Sequence, residues 1–336
     1  MSTIHTSIID LIGNTPLLEL RRYGARRELT ATILAKLESH NPVGSVKDRI
    51  AWAIIQDAED RGLLTPGGEI VDVTSGNTGI ALSAIAAARG YRATFYAGDN
   101  ISPDKLALLR GFGARVISVP NIFFTDPDAL VLLRARAQEE NPGAFFADQL
   151  SNPANPQFHY RTTGPEIWRD TDGAVDILVG GVGTGGTLSG AGRYLKEQKS
   201  SVQVVAAEPG LGSVPTPEEP YPKEIDGVHK VTEALPQQLP DNLDQSLIDE
   251  YVALETADAF ATSLALAREE GLLAGSSAGA IVHVATRLAR REENAGKVIV
   301  AVVPDSAERY LSAGIFDPQD PATAERDAAL VGSTTE

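Results

Sequence analysis

No cysteine occurs among the 336 residues, and methionine occurs once. The first absence removes disulfides, thiolate nucleophiles and sulfur-ligated metals together, and no metal site is expected. Positive charge is also scarce. Twenty-nine lysines and arginines face 45 aspartates and glutamates, a net charge of −16 with no basic cluster above that background. Such a chain repels both a phosphate backbone and an anionic membrane surface, so nucleic acid and membrane are set aside as partners. Long apolar runs are missing as well. The start, "MSTIHTSIIDLIGNTPLL", lacks the basic region and unbroken apolar stretch of a secretory leader, and a cytoplasmic protein is the expectation. With 43% hydrophobic residues, the length suffices for one large domain or two ordinary ones.

What is present is a rhythm. Strand-length apolar runs alternate with helical patterns: "GEIVDVT", "GIALSAIAAARG", "RATFYAG", "SPDKLALLRGFG", "ARVISVP". The alternation resumes with "VDILVGG", "TLSGAGRYLKEQ", "VQVVAAEP" and later "KVIVAVVPD". This pattern predicts an α/β fold built from βαβ units, with mostly parallel sheets flanked by helices. Between the two halves, "FFADQLSNPANPQFHYRTTG" is dense in Pro and Asn and reads as a crossing between lobes. The stretch "EPGLGSVPTPEEPYPKEIDG" reads as a long Pro-rich surface loop, and the polar end "DPQDPATAERDAALVGSTTE" as a fraying tail.

Three loops carry candidate chemistry. In "GGVGTGGTLSG", Gly181, Gly183 and Gly186 satisfy G-x-G-x-x-G after a strand, and Glu208 closes the next strand where a ribose-binding acid would stand, so a dinucleotide site of an NAD-dependent oxidoreductase is one reading. Thr184 and Thr187 instead add hydroxyls that suit a terminal phosphate monoester at a helix start. In "TSGNTG", residues 74–79, hydroxyls, an amide and two glycines at a strand-to-helix turn form a nest for a carboxylate. In "GSSAG", Gly275, Ser277 and Gly279 match the elbow of serine hydrolases. The chain order opposes that reading, because the only later histidine, His283, lies within the next predicted helix; Ser277 fits better as a hydroxyl facing a neutral nitrogen. Taken singly, each loop is also compatible with an ordinary turn.

The stretch "NPVGSVKDRIAWAII", residues 41–55, holds a lysine where a helix least favours one. Ser45 reads as the N-cap, with Asp48 completing a capping box. Lys47 thus falls in the first turn, where the helix dipole places roughly half a positive charge. One ligand requires a lysine there, a phosphate cup, a hydroxyl for a ring nitrogen and a nest for an α-carboxylate: pyridoxal 5'-phosphate carrying an amino acid. Bound as an imine, Lys47 no longer presents a bare ammonium, and once freed it is biased toward the neutral base that removes a Cα proton.

The ordered series "LIGNTPLLEL", "NPVGSVKDR", "TSGNTG", "NPANPQFHYRTTGPEIW", "GGVGTGGTLSG", "GSSAGA" and "VVPDSAERYL" resembles the cysteine synthase and cystathionine β-synthase family of tryptophan-synthase-β-like, fold type II pyridoxal-phosphate enzymes. That resemblance implies two lobes: a smaller one over 40–148, a larger one over 13–39 plus 149–316, and a tail over 317–336. It implies Lys47 as the Schiff-base lysine, Asn77 at the cofactor's ring hydroxyl, Gly183, Thr184, Gly185, Gly186 and Thr187 at the phosphate, and Ser277 at the pyridine nitrogen. Thr74, Ser75, Asn77, Thr78, Gln149 and Gly227 would face the substrate. The implied activity is β-replacement on an O-activated L-serine, with O-acetylserine and sulfide giving cysteine and acetate, or with homocysteine, thiosulfate or another nucleophile. A homodimer is implied, as is docking of the C-terminal tail of serine acetyltransferase.

Two segments depart from the family pattern. In "EIDGVHKVTEALPQQLPDNLDQSLIDE", Gly227 is kept but Val228 and His229 follow it and the insert is longer, leaving His229 as either a surface turn residue or a group touching the nucleophile or leaving group. The stretch "NIFFTDPDALVLLRARAQ" replaces a small-residue segment expected at the pocket entrance.

Overall fold

The computed structural model describes residues 4–74, 76–120, 128–216 and 223–316. Its strands are β1 (Leu17–Glu19), β2 (Thr32–Leu37), β3 (Glu69–Val73), β4 (Arg92–Gly98), β5 (Arg115–Val119), β6 (Phe145–Phe146), β7 (Val175–Gly181), β8 (Gln203–Pro209), β9 (Glu250–Leu254) and β10 (Val298–Val303). Its helices are α1 (Arg21–Arg26), α2 (Lys47–Asp60), α3 (Asn77–Arg89), α4 (Pro103–Gly111), α5 (Ala129–Glu140), α6 (Ala154–Arg161), α7 (Thr163–Asp170), α8 (Gly186–Gln198), α9 (Thr256–Glu270) and α10 (Ser276–Ala289).

The strands assort into two sheets, of order β1-β2-β10-β7-β8-β9 and β5-β4-β3-β6. Every pairing is parallel except that of the edge strand β1 with β2. Covered on both faces, the inner strands need no polar alternation, which is why β10 reads "VIVAVV". In the larger sheet, Ile281 of α10 and Phe260 of α9 pack on one face, and Leu188 of α8 and Ile167 of α7 on the other. In the smaller sheet, Ile54 of α2, Ile80 of α3 and Leu109 of α4 cover one face, and Leu133 and Ala137 of α5 the other. Local chemistry sets the helix ends: Ser102 caps α4, its Oγ accepting from the Lys105 N–H at 3.3 Å ahead of Pro103, and α3 stops at Gly90, whose φ is +76°.

Strand order positions the site. In the larger sheet the chain runs outward from β7 through β8 to β9 and returns to β10 on the other side of β7; in the smaller one it runs from β3 outward to β5 and returns to β6. Each sheet therefore has a point where adjacent strands send their following loops in opposite directions, which opens a crevice beyond the carboxyl ends. At the β7/β10 switch stand the glycine-rich turn after Gly181 and Asp305 after Val303. At the β3/β6 switch stand Thr74 and Gln149.

Two expectations are corrected. The Pro/Asn-rich crossing is not irregular chain: it carries β6, α6 and the start of α7, because Pro153 precedes the first turn of α6, where a missing N–H is harmless. Its Ala154 and Phe158 join the smaller sheet's core while Asn155 reaches the glycine-rich turn of the larger one. The second segment is not a surface loop throughout. Its Ile225 is 2% exposed and belongs to the larger core, as does Val228 just beyond it. Residues 217–222 and the tail 317–336 lie outside the described residues.

A buried charge network ties α2 to the larger sheet. Arg49 bonds Glu38 at 2.7 and 2.9 Å and Glu166 at 2.8 and 2.7 Å, while Lys36 meets Glu166 at 2.9 Å. Arg49, Glu38 and Lys36 are fully buried and Glu166 nearly so. Thr15 Oγ1 and Asn41 Nδ2 donate to the remaining Glu38 lone pairs at 2.8 Å each. Burial alone would raise the Glu166 carboxyl, but the hydrogen bonds and charge of Arg49 and Lys36 bring it down to about 2.

Replacing Arg49 by Met leaves Glu38 without its buried ion-pair partner and Glu166 with Lys36 alone, with an expected loss of about 3–5 kcal/mol in urea-unfolding free energy. Because the folded value of Glu166 lies below its ordinary 4.5, its stabilising contribution is complete above that pH and is lost as pH falls through about 2. Acid unfolding followed by circular dichroism should therefore begin below the ordinary glutamate value in the native protein, and Arg49→Met should shift it to higher pH.

Candidate active site

Lys47 opens α2. Ser45 Oγ accepts its backbone N–H at 3.2 Å, as an N-cap hydroxyl should, although the helix boundary assigns the cap to Val46. The expected reciprocal half of the capping box is corrected: Asp48 Oδ2 accepts from the Val43 N–H at 2.6 Å, beyond Ser45, and Oδ1 takes the Ser45 hydroxyl at 3.3 Å. Asp48 thus fastens the whole turn ahead of the lysine. Buried there, its carboxyl is pushed up to about 7.

The Lys47 side chain is half-buried by exposure yet walled by protein, as at the floor of a cleft. Desolvation lowers its pKa, against the pull of Asp305, Asp226 and Glu38. Its amine lies against the glycine-rich turn. A β-carbon built on Gly183 would stand 4.0 Å from Lys47 Nζ and 2.6 Å from the Gly227 carbonyl oxygen. On Gly186 it would lie 1.8 Å from Asn155 Oδ1. The turn admits backbone only, so its N–H groups and the start of α8 are presented without side chains in the way.

Hydroxyls complete the cup. Thr184 Oγ1 accepts from Asn155 Nδ2 at 2.9 Å, which leaves its own proton free for an anion. Thr187 Oγ1 lies 3.2 Å from His159 Nε2, and His159 Nδ1 lies 2.8 Å from Thr163 Oγ1. Burial first, and the charge of Arg49 second, push His159 down to about 3. The ring is neutral, and the tautomer carrying its proton on Nε2 donates to Thr187 and frees the threonine proton for a phosphate.

Across the cleft, Thr74 and Thr78 are buried and Gln149 half-buried. Thr74 Oγ1 accepts the Gly76 N–H at 3.3 Å, and the Thr78 hydroxyl donates to Gln149 Oε1. Ser75 lies outside the described residues. Asn77, at the start of α3, donates from Nδ2 to Asp305 Oδ2 at 2.5 Å and to the Tyr310 hydroxyl at 3.3 Å, and accepts from Arg309 at 2.7 Å. Ser277, in the first turn of α10, is 4% exposed and makes no hydrogen bond from its hydroxyl among the described residues. Gly227 is exposed with φ +76°.

The structure adds residues that the sequence reading gave no role. Asn155 and His159 set the hydroxyls of the cup, and both were hidden inside the segment read as a crossing. Asp305 is fully buried with Oδ1 unpartnered, its carboxyl raised by burial against the hydrogen bonds of Tyr310 and Asn77. Its signal in sequence is its place in "VVPDSAERYL", just after an apolar strand. Glu208, the candidate ribose acid, is consumed elsewhere: it takes Lys230 at 2.8 Å, Thr232 Oγ1 at 2.7 Å and the N–H groups of Val231 and Thr232 at 3.0 and 3.1 Å.

A reachable, desolvated amine, a phosphate-sized cup of backbone and hydroxyls, and an unpaired serine hydroxyl fit a phosphorylated pyridine aldehyde. Two parallel-sheet lobes sharing that cleft define a fold type II pyridoxal-phosphate enzyme. Residues 8–305 match the family described as Pyridoxal-phosphate dependent enzyme. Cysteine synthase A of Salmonella typhi is 42% identical over 94% of this chain and 97% of its own length. O-ureido-L-serine synthase of Streptomyces lavendulae is 41% identical over 94% of both. A crystal structure of cysteine synthase from Entamoeba histolytica superposes with a TM-score of 0.84 at 34% identity, covering 97% of this chain and 94% of that one. The chain belongs to the cysteine synthase and cystathionine β-synthase family of pyridoxal-phosphate-dependent enzymes.

Borohydride reduction of the holoenzyme followed by peptide mass mapping should place the pyridoxyl adduct on Lys47 and lose it in Lys47→Ala. Gly186→Ala drives a methyl into Asn155 Oδ1; overpacking of that kind costs about 1–3 kcal/mol, which equilibrium dialysis should read as weaker cofactor retention.

Proposed function

We propose that this enzyme replaces the β-substituent of O-acetyl-L-serine with sulfide, forming L-cysteine and acetate, as a cytoplasmic homodimer. The observation that supports this reading is the position of the Lys47 amine at the start of α2, beside the glycine-rich turn. The bound cofactor supplies an electron sink for charge developing at the substrate Cα. The chain supplies geometry and proton transfer. Thr74, Thr78 and the N–H groups at the start of α3 hold the substrate carboxylate, with Gln149 fixing the Thr78 hydroxyl. Lys47 takes the Cα proton and later returns it, and desolvation suits it to that role by favouring the neutral amine. Ser277 offers a neutral hydroxyl to the ring nitrogen, so protonation there is not enforced as a carboxylate would enforce it, and early loss of the β-substituent is favoured over other fates of the carbanion. Fixed orientation of the base and the carboxylate contributes on the order of 7–11 kcal/mol.

The similarity to an enzyme named for O-ureido-L-serine keeps a second acceptor in view. Hydroxyurea is the nucleophile whose addition to the same activated serine would give that product. Docking of a serine acetyltransferase tail in the cleft belongs to the same reading, the peptide's terminal carboxylate taking the place of the substrate's.

With O-acetylserine alone the holoenzyme should change its visible absorbance and release one equivalent of acetate; adding sulfide should restore the spectrum and yield cysteine. Lys47→Ala should lower turnover by about 10²–10⁴-fold. Absence of acetate release from O-acetylserine would remove the basis for this function, and a product formed faster with thiosulfate or hydroxyurea than with sulfide would reassign the acceptor.

A further inference from the structure

The segment 223–229 is a strap pinned across the cleft rather than a mobile loop. Thr256 Oγ1 donates to the Lys223 carbonyl at 2.7 Å, the Asp226 N–H donates to Ser276 Oγ at 3.0 Å, and the His229 N–H donates to the Val182 carbonyl at 2.8 Å. Ile225 and Val228 are its two buried pegs, and Val228 sits directly over Gly181. Between the pegs the polar residues face the other way. The Asp226 carboxylate takes the Lys105 ammonium from α4 of the opposite lobe, and the Gly227 carbonyl lies over Gly183, beside the Lys47 amine. His229 follows two residues later. Its side chain is exposed; Lys47 and Asp226 both act on its charge, and desolvation, reinforced by Lys47, lowers its pKa. Lys105 and Glu224 are the other charged groups that face Asp226 at this end of the strap.

We infer that His229, held by the strap two residues beyond the Gly227 carbonyl, is the proton acceptor for an incoming nucleophile that arrives as X–H. The inference rests on the β-replacement reading above. Acetate departs as the anion with the bonding electron pair and needs no proton. As the new S–C bond forms, the S–H bond of the thiol breaks and its proton passes to the neutral imidazole, which releases it to water. Lys47 returns to Cα the proton that it took. Sulfide, already largely hydrosulfide near neutrality, depends little on such a base. An alkyl thiol with a pKa of about 8.5 depends on it strongly.

The test compares the native holoenzyme with His229→Gly and His229→Gln, using O-acetylserine as donor and sulfide or homocysteine as acceptor. The ratio of kcat/KM for homocysteine to that for sulfide should fall by about 10²-fold in both variants, and added imidazole should restore thiol addition in His229→Gly. An unchanged ratio, or no rescue, overturns the inference. A second readout needs no turnover: the imidazole resonance of His229, followed by NMR against pH, should titrate below an ordinary histidine and move upward in Lys47→Ala. If sulfide is consumed but the resonance ignores Lys47, the inference fails alone. If the native enzyme consumes neither acceptor, the replacement reading fails and takes this role with it.

Discussion

The guanidinium of Arg49 is the point on which the site depends. Two residues after Lys47, it is clamped bidentately by Glu38 and by Glu166, with Lys36 balancing the second carboxylate, so that two positive and two negative charges cancel inside the protein. Helix α2, whose apolar face belongs to the smaller sheet's core, is thereby locked to β2 and α7 of the larger lobe, and the first turn that carries the lysine inherits that registry. Asp48 fastens the same turn from the other side through Val43 and Ser45. The lysine is thus mounted on a helix that packs on the smaller sheet and is tied by ion pairs to elements of the larger one.

The two sheets solve the same problem twice. Each reverses its strand order once, and each uses the resulting crevice to display backbone N–H groups at a helix start: α8 behind the glycine-rich turn, α3 behind Thr74. One crevice suits a dianionic phosphate, helped by hydroxyls that Asn155 and His159 hold in place. The other suits a single carboxylate. Closing contacts between the lobes are polar and specific: Asn77 with Asp305, Tyr310 and Arg309, and Lys105 with Asp226. Such contacts can be remade as substrate enters, unlike an apolar seam.

Much of this was legible in the residues. The alternation of apolar runs and helical patterns marked the β3–β5 and β7–β8 units because inner parallel strands must be apolar on both faces. The glycines of 181–186 and the hydroxyl-rich 74–79 stood out because a turn that approaches an anion closely can afford few side chains. The segments misread were those whose structure comes from distant partners. Pro and Asn in 145–164 read as a crossing between lobes, yet α6 forms there, its Ala154 and Phe158 in the smaller sheet's core and its Asn155 bonded to Thr184. The 223–229 strap looked polar, yet Ile225 and Val228 find a core that local pattern does not reveal.

By itself the sequence determined the fold class, the cofactor and the order of the anion-binding loops, since each follows from short-range rules: strand and helix periodicity, and the residue types that can surround a phosphate or form an imine. Only the tertiary structure decided how Lys47 is desolvated, which carboxylates neutralise Arg49, that Glu208 is spent on the 230–232 turn, and that the His229 backbone is tied to Val182 beside the glycine-rich turn. Those outcomes depend on distances between residues separated by tens to hundreds of positions, and electrostatic coupling falls off in space rather than along the chain.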